Sequence, residues 1–251
     1  MKKLIINADD FGYSRSVNYG IIDAHTEGVL SSTTLMTNMP GTEHAFELGK
    51  KHPNLGIGVH LTLTCGSPLL KNHRTLVDSD GNFKKLYHYQ DKFWIDEDEL
   101  YKEWKAQIEK FLDSGLVPTH LDSHHHINNL KSIIPVFTRL AEEYHLPVRN
   151  NFEVNKYSDH LITTDLFEYN PEVLLLGLIA LNKHFGSAKT IEIMCHPAYL
   201  DKFIMSNSSY ATPRIEELAT LIHPNTREKI EESGDYQLIT YEDLTKGVNE
   251  K

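Results

Sequence analysis

Cysteine is scarce. Cys65 and Cys195 are the only two, and they form no Cys-x-x-Cys pair. That argues against a disulfide framework and thiolate metal clusters, and it fits a reducing compartment. Long apolar runs are also missing. The longest, Val173 to Leu181, falls well short of the roughly 20 residues a membrane helix needs. The first apolar run, Leu4-Ile5-Ile6, gives way at once to polar Asn7 and the carboxylates of Asp9 and Asp10, unlike a secretory signal. A soluble, cytoplasmic protein with no membrane partner is the expectation. Basic charge is thin as well: 25 Lys and Arg against 35 Asp and Glu leave a net charge of −10. No segment concentrates cations enough to reverse the repulsion from a phosphate backbone, so no nucleic-acid partner is expected. No Pro/Gly/Ser-rich linker and no compositional step divides the chain. With 40% hydrophobic and 24% charged residues, its 251 residues suit one globular domain, 1–251, with a substantial core.

What is abundant is histidine. There are 15, three of them consecutive at His124, His125 and His126. Many imidazoles and few thiols favour N/O-ligated metals.

Short β-like runs alternate with helical periodicity from end to end. Strands are expected at Leu4–Ile6, Ser32–Met36, Leu55–Leu63, Pro118–Asp122, Leu146–Arg149, Thr190–Cys195 and Tyr236–Thr240. Helices are expected from Ser14 or Ser16 to Gly28, over Thr42–Lys51, from Asp96 to about Ser114, and over Ile133–Tyr144, Pro171–Phe185 and Pro213–Ile222. This alternation predicts an α/β fold with parallel strands and crossover helices, either a barrel or an open sheet. Residues 65–96 are the least regular and carry Phe83, Tyr87, Tyr89, Phe93 and Trp94. They read as an insertion or lid whose aromatics either face a sugar or pack as a small satellite cluster.

In parallel α/β folds the chemistry collects at the carboxyl ends of strands. Asp9-Asp10 ends the first expected strand and His60 lies in the third. His120-Leu121-Asp122-Ser123-His124-His125-His126 follows the fourth, Arg149 ends the fifth, and His196-Pro197 follows the sixth. Two histidines and a carboxylate from separate strands can form a metal face with open positions, suited to a divalent ion that activates water. One member of the Asp-Asp pair would then ligate while its neighbour acts as a base. The same donor set also describes non-haem iron oxygenases.

Together, Asn7-Ala8-Asp9-Asp10-Phe11-Gly12, Val59-His60-Leu61-Thr62-Leu63-Thr64, Thr119 to His126 and Met194-Cys195-His196-Pro197 resemble the YdjC-like carbohydrate deacetylases, in particular the chitooligosaccharide deacetylase branch. The resemblance implies a distorted seven-stranded β/α barrel of the glycoside hydrolase/deacetylase type. It also implies a homodimer and hydrolysis of N-acetyl groups on a small acetylated sugar or oligosaccharide. The implied cofactor is a divalent metal, given as magnesium, with zinc, manganese or cobalt also compatible with imidazole ligands. Carried over by motif, Asp10, His60 and His124 are the metal ligands, Asp9 the general base and His196 the acid. Arg149, Thr62 and His126 fall to substrate binding or orientation, with Arg149 directed at Asp9. The chain departs from the pattern at Asn128, where relatives often have histidine, and at Ala198, where glycine often follows the proline. Both departures bear on substrate fit rather than on the ligands.

Overall fold

The first strand is the spine of the molecule. A computed structural model describes residues 1–149, 161–164 and 190–246. Strand β1, Lys2–Phe11, is buried from Leu4 to its end, and its apolar residues pack on both faces. Such a strand must lie in the middle of a covered parallel sheet. The remaining strands are β2 (Ser32–Leu35), β3 (Gly56–Leu61), β4 (Leu121–Ser123), β5 (Leu161–Thr164), β6 (Thr190–Cys195) and β7 (Tyr236–Leu238). The order is β4-β3-β2-β1-β6-β5, with β7 pairing the start of β1. Every ladder among the described residues is parallel. Among the described residues no ladder joins the β4 and β5 edges of this sheet.

The strand set differs from the expected one at a single step. Leu146–Arg149 does not form a strand; it contributes one parallel bridge, Val148 to Leu121. Its place in the sequence order is taken by β5, which carries no strong period-2 signal and which pairs β6. The helix expected over Pro171–Phe185 lies outside the described residues.

The helices follow local rules. Helix α1 (Arg15–Thr26) is capped by Ser14, whose hydroxyl accepts from the Val17 N–H, and α3 (Glu97–Asp113) by Asp96, which accepts from Asp98 and Glu99. Helices α2 (Thr42–Lys51) and α4 (Ile134–Glu143) complete the first half, and Pro213–Ile222 is helical as expected. Lys202–Asn207 and Pro224–Glu232 are further helices that the periodicity did not reveal.

Residues 65–96 are tied to α3 by two of its carboxylates. Glu103 accepts from the Leu69 and Leu70 N–H groups at 2.9 Å each, and Glu99 accepts from Thr75 N–H at 2.9 Å. The buried aromatics of this segment join the main hydrophobic core rather than a satellite cluster of their own. Phe83 and Tyr89 are buried, whereas Tyr87 and Trp94 are exposed.

Helix α1 lies directly on the segment that follows β6. A Cβ added at Gly20 would stand 2.6 Å from the Ala198 Cα and 3.0 Å from Tyr199 N, which are backbone atoms with little room to give. Gly20→Ala is therefore expected to destabilise the protein by about 1 kcal/mol. The overpacking cost of about 1–3 kcal/mol outweighs the roughly 1 kcal/mol that alanine gains in a helix. Urea unfolding measures this, and a variant as stable as the parent would contradict the close packing.

Candidate active site

A register shift in β1 builds the site. Consecutive side chains of a regular strand point to opposite faces. Here the ladder with β2 is interrupted between Ala8 and Phe11, and Asp10 takes a left-handed backbone with φ 73°. The irregularity lets Asp9 and Asp10 line the same cavity. Such a backbone costs energy in a residue other than glycine and persists only where its surroundings enforce it. Gly12 follows at φ 93°, with no space for a Cβ beside the Met36 carbonyl, and closes the turn.

Across the sheet, β3 and β4 set His60 opposite Asp122. Nδ1 of His60 is 2.6 Å from Asp122 Oδ1, which turns Nε2 towards the aspartate pair, 3.5 Å from Asp10 Oδ1 and 3.9 Å from Asp9 Oδ2. His124 begins the short turn His124–Asn129 after β4 and places its Nδ1 3.1 Å from the same Asp10 oxygen. Donor atoms of Asp10, His60 and His124 lie within 4.8 Å of one another, and all three residues are buried. Asp10 Oδ1 and His60 Nε2 have no hydrogen-bond partner. Buried polar atoms left in this way call for an explanation, and a bound cation supplies one. A second grouping, Asp9, His60 and Asp122, also lies within 4.8 Å. Its carboxylates are already taken up by Arg149.

Two arginines hold the two aspartates differently. Arg149 forks onto Asp9, Nη1 to Oδ2 at 2.8 Å and Nη2 to Oδ1 at 2.6 Å. Asn7 and Thr34 also donate to Oδ1, at 2.9 and 3.3 Å. Arg214 donates from Nη2 to Asp10 Oδ2 at 2.6 Å and leaves Oδ1 to the imidazoles. Arg149 further contacts Asp122 and Glu192, both at 3.0 Å. The four carboxylates that touch these guanidiniums thus carry −4 against +2, a balance of −2. A divalent cation would neutralise it in place of the two protons that His60 and His124 hold when no ion is bound. The charge balance, the unpartnered atoms and the N/O donor set all fit such an ion, and Asp10, His60 and His124 are the residues that would hold it.

The electrostatics agree. Burial alone would raise Asp9 and Asp10, but Arg149 and Arg214 respectively overcome it and hold both far below the usual carboxylate range. Burial alone would lower His60 and His124. The facing carboxylates, Asp122 and Asp9 for His60 and Asp10 for His124, instead push them up to about 10 and about 9 in the metal-free protein. For His196 burial prevails, and it is held down at about 4, hence neutral near pH 7.

The cavity has a volume of about 760 Å³ and is lined by Asp9, Asp10, His124, His126, His196 and Arg214 among others. Thr62 is not among its lining residues; its hydroxyl donates into the core, towards Asn38 and Gln107. Thr64, two residues on, does line it and contacts His125 Nδ1 at 2.9 Å. Arg214 and Tyr210 are site residues that no sequence motif indicated. Arg214 lies in an ordinary amphipathic helix some 200 positions from Asp10, and only the tertiary fold reveals their contact.

A family model described as YdjC-like protein matches residues 3–232, and the chain belongs to this family. It is 47% identical over 227 residues to a carbohydrate deacetylase of Halalkalibacterium halodurans, covering 87% of this chain and 94% of that protein. It is 42% identical over 250 residues to a carbohydrate deacetylase of Clostridium beijerinckii, covering 96% and 100%. Among solved structures, one from Enterococcus faecalis V583, described as a candidate cellobiose-phosphate cleavage protein, superposes with a TM-score of 0.86 at 37% identity, covering 97% and 98% of the two chains. Among the described residues no helix is long and apolar enough to cross a membrane.

Two outcomes follow from the ligand geometry. A divalent ion must displace the protons on His60 and His124, so loading the metal-free protein at pH 7 should release about two protons, and affinity should rise with pH. Calorimetry in buffers of different ionisation enthalpy reads both, and binding independent of pH would contradict the assignment. Arg214→Lys should weaken binding by about 10- to 100-fold, the usual effect of disturbing a residue that orients a ligand. Unchanged affinity would show that Asp10 needs no such support.

Proposed function

We propose that this protein is a metal-dependent carbohydrate deacetylase that hydrolyses N-acetyl groups on short chitooligosaccharides. The supporting observation is the meeting of Asp10 Oδ1, His60 Nε2 and His124, the first two without a hydrogen-bond partner, beside an arginine-fixed Asp9 in an open cavity. Relatives named carbohydrate deacetylase, aligned over nearly the whole chain, support the substrate class. In this reading the sheet is the distorted seven-stranded barrel of the glycoside hydrolase/deacetylase type. Magnesium as the resident ion and a homodimeric assembly belong to it through the family resemblance.

A divalent ion at Asp10, His60 and His124 would polarise the acetamide carbonyl and acidify water. Asp9 takes the proton of the attacking water. Its Oδ1 is occupied by Arg149, Asn7 and Thr34, so Oδ2, with Arg149 alone, is the proton-accepting atom. The fork that fixes Asp9 also makes it a weak base, which is why the water has to be acidified. His196 lies across the same cavity and is neutral at rest. It receives the proton that Asp9 took from the water, which returns Asp9 to its ionised form, and hands it to the departing sugar amine, which is otherwise a poor leaving group. Arg149 keeps Asp9 ionised and in plane, and Asp122 holds the His60 ring through Nδ1. His126 lines the cavity on the substrate side, and Thr62 supports the strand from behind.

Asp9→Asn should leave ion binding intact and lower kcat for acetate release from N-acetylglucosamine oligomers by about 10²–10⁴. His60→Ala or His124→Ala should lose ion and activity together. Stripped protein resupplied with single divalent ions tests the whole scheme. Full turnover by Asp9→Asn would reassign the base, and ligand binding without product would make the protein a sugar binder.

A further inference from the structure

A chain of buried polar contacts leads away from Asp9, and the mechanism above does not use its far end. Arg149 reaches Asp9 through both Nη atoms and directs Nε the other way, to Glu192 Oε1 at 3.0 Å. The second Glu192 oxygen accepts from the Tyr241 hydroxyl at 2.6 Å. Arg149, Glu192 and Tyr241 are each 0% exposed. The Tyr241 ring stacks on His120, centroids 3.7 Å apart and planes within 7°. His120 in turn sits against Gly58, where a Cβ would stand 2.5 Å from the imidazole. The tyrosine thus has a fixed seat, and its hydroxyl cannot swing away from Glu192. Tyr241 lies beyond β7, outside the 3–232 stretch matched by the family model.

A buried carboxylate is retained only where it is paired and hydrogen-bonded, and for packing alone an apolar residue would serve as well. An arginine side chain bound only at its Nη end can pivot about its flexible stem. Bound at Nε too, it presents a planar fork in one orientation. Resting on the function proposed above, we propose that Glu192 and Tyr241 are positioning residues for the base: Tyr241 orients Glu192, Glu192 locks Arg149 through Nε, and the locked guanidinium holds Asp9 with Oδ2 facing the cavity. The arrangement acts on the orientation of Asp9. Neither Glu192 nor Tyr241 lines the cavity, and their route to the metal cluster runs through Arg149, which also meets Asp122 at 3.0 Å.

Tyr241→Phe removes one hydroxyl and keeps the stacked ring; Glu192→Gln keeps the shape and removes the charge. With N,N′-diacetylchitobiose as probe, Tyr241→Phe should lower kcat about three- to tenfold, the worth of one hydrogen bond. KM should stay within twofold, bound divalent ion should equal that of the parent, and Tm should stay within about 4 °C. Glu192→Gln should do the same more strongly. In ¹⁵N-arginine-labelled protein, Arg149 Nε–H should exchange with solvent at least fivefold faster in Tyr241→Phe. Unchanged kcat, or a fall in kcat that tracks lost metal or lost folding, would overturn the proposal. If the parent releases no acetate from this sugar, the substrate reading fails; the positioning role is then decided by the exchange rate alone, and an unaltered rate overturns it.

Discussion

The two arginines that divide a pair of adjacent carboxylates are the constraint on which the rest depends. Asp9 and Asp10 sit side by side on an irregular strand end, and like charges so close would ordinarily drive one of them to protonate. Arg149 takes both oxygens of Asp9, whereas Arg214 takes only one oxygen of Asp10. That difference gives neighbouring residues of the same type separate roles. One is pinned with a single lone pair free for a proton, and the other offers an unspent oxygen to two imidazoles. The left-handed backbone at Asp10 and the missing Cβ at Gly12 are local costs of bringing both carboxylates into one cavity.

The fold supports this through its middle rather than its loops. β1 is flanked on both sides, so Asp9 and Asp10 stand at the end of a central strand of the sheet. His60 and Asp122 come from paired positions of neighbouring strands, and Thr34 of β2 lies among Asp9, His60 and Asp122 at 3.1–3.3 Å. Burying four carboxylates and two guanidiniums is expensive unless all are paired. Here all six groups have an ionic partner, while Asp10 Oδ1 and His60 Nε2, the atoms assigned to the proposed ion, and Arg214 Nη1 are left without a hydrogen bond. A protein optimised for stability alone would fill that gap, and its survival argues for function.

Much of this was legible in the sequence, and what was not failed for physical reasons. The sequence narrowed the start of α1 to Ser14 or Ser16 and that of α3 to Asp96 because capping is decided within three residues, and Ser14 and Asp96 are the caps. Asp9, Asp10, His60, His124 and His196 stood out because strand ends in a parallel fold are predictable from periodicity, and the structure gathers them around one cavity or cluster. Arg214, Glu192 and Tyr241 carry no local signal: an arginine on a helix, a glutamate inside a strand and a tyrosine near the chain end read as ordinary. Their partners lie tens to hundreds of positions away. The exchange of Leu146–Arg149 for Leu161–Thr164 as the fifth strand has the same origin, since an edge segment becomes a strand only if a neighbour offers it a ladder. Thr62 and Thr64 illustrate how finely this matters. They flank one position of the same segment, yet only the second lines the cavity.

The central claim is that Asp10, His60 and His124 converge on a single divalent ion while Asp9, beside them, does not ligate. Anomalous diffraction from crystals loaded with zinc or manganese tests it most directly. The account predicts one strong peak enclosed by Asp10 Oδ1, His60 and His124, with Asp9 still forked on Arg149. A peak bounded instead by Asp9 and Asp122, or no peak at this cluster at saturating ion, would contradict it.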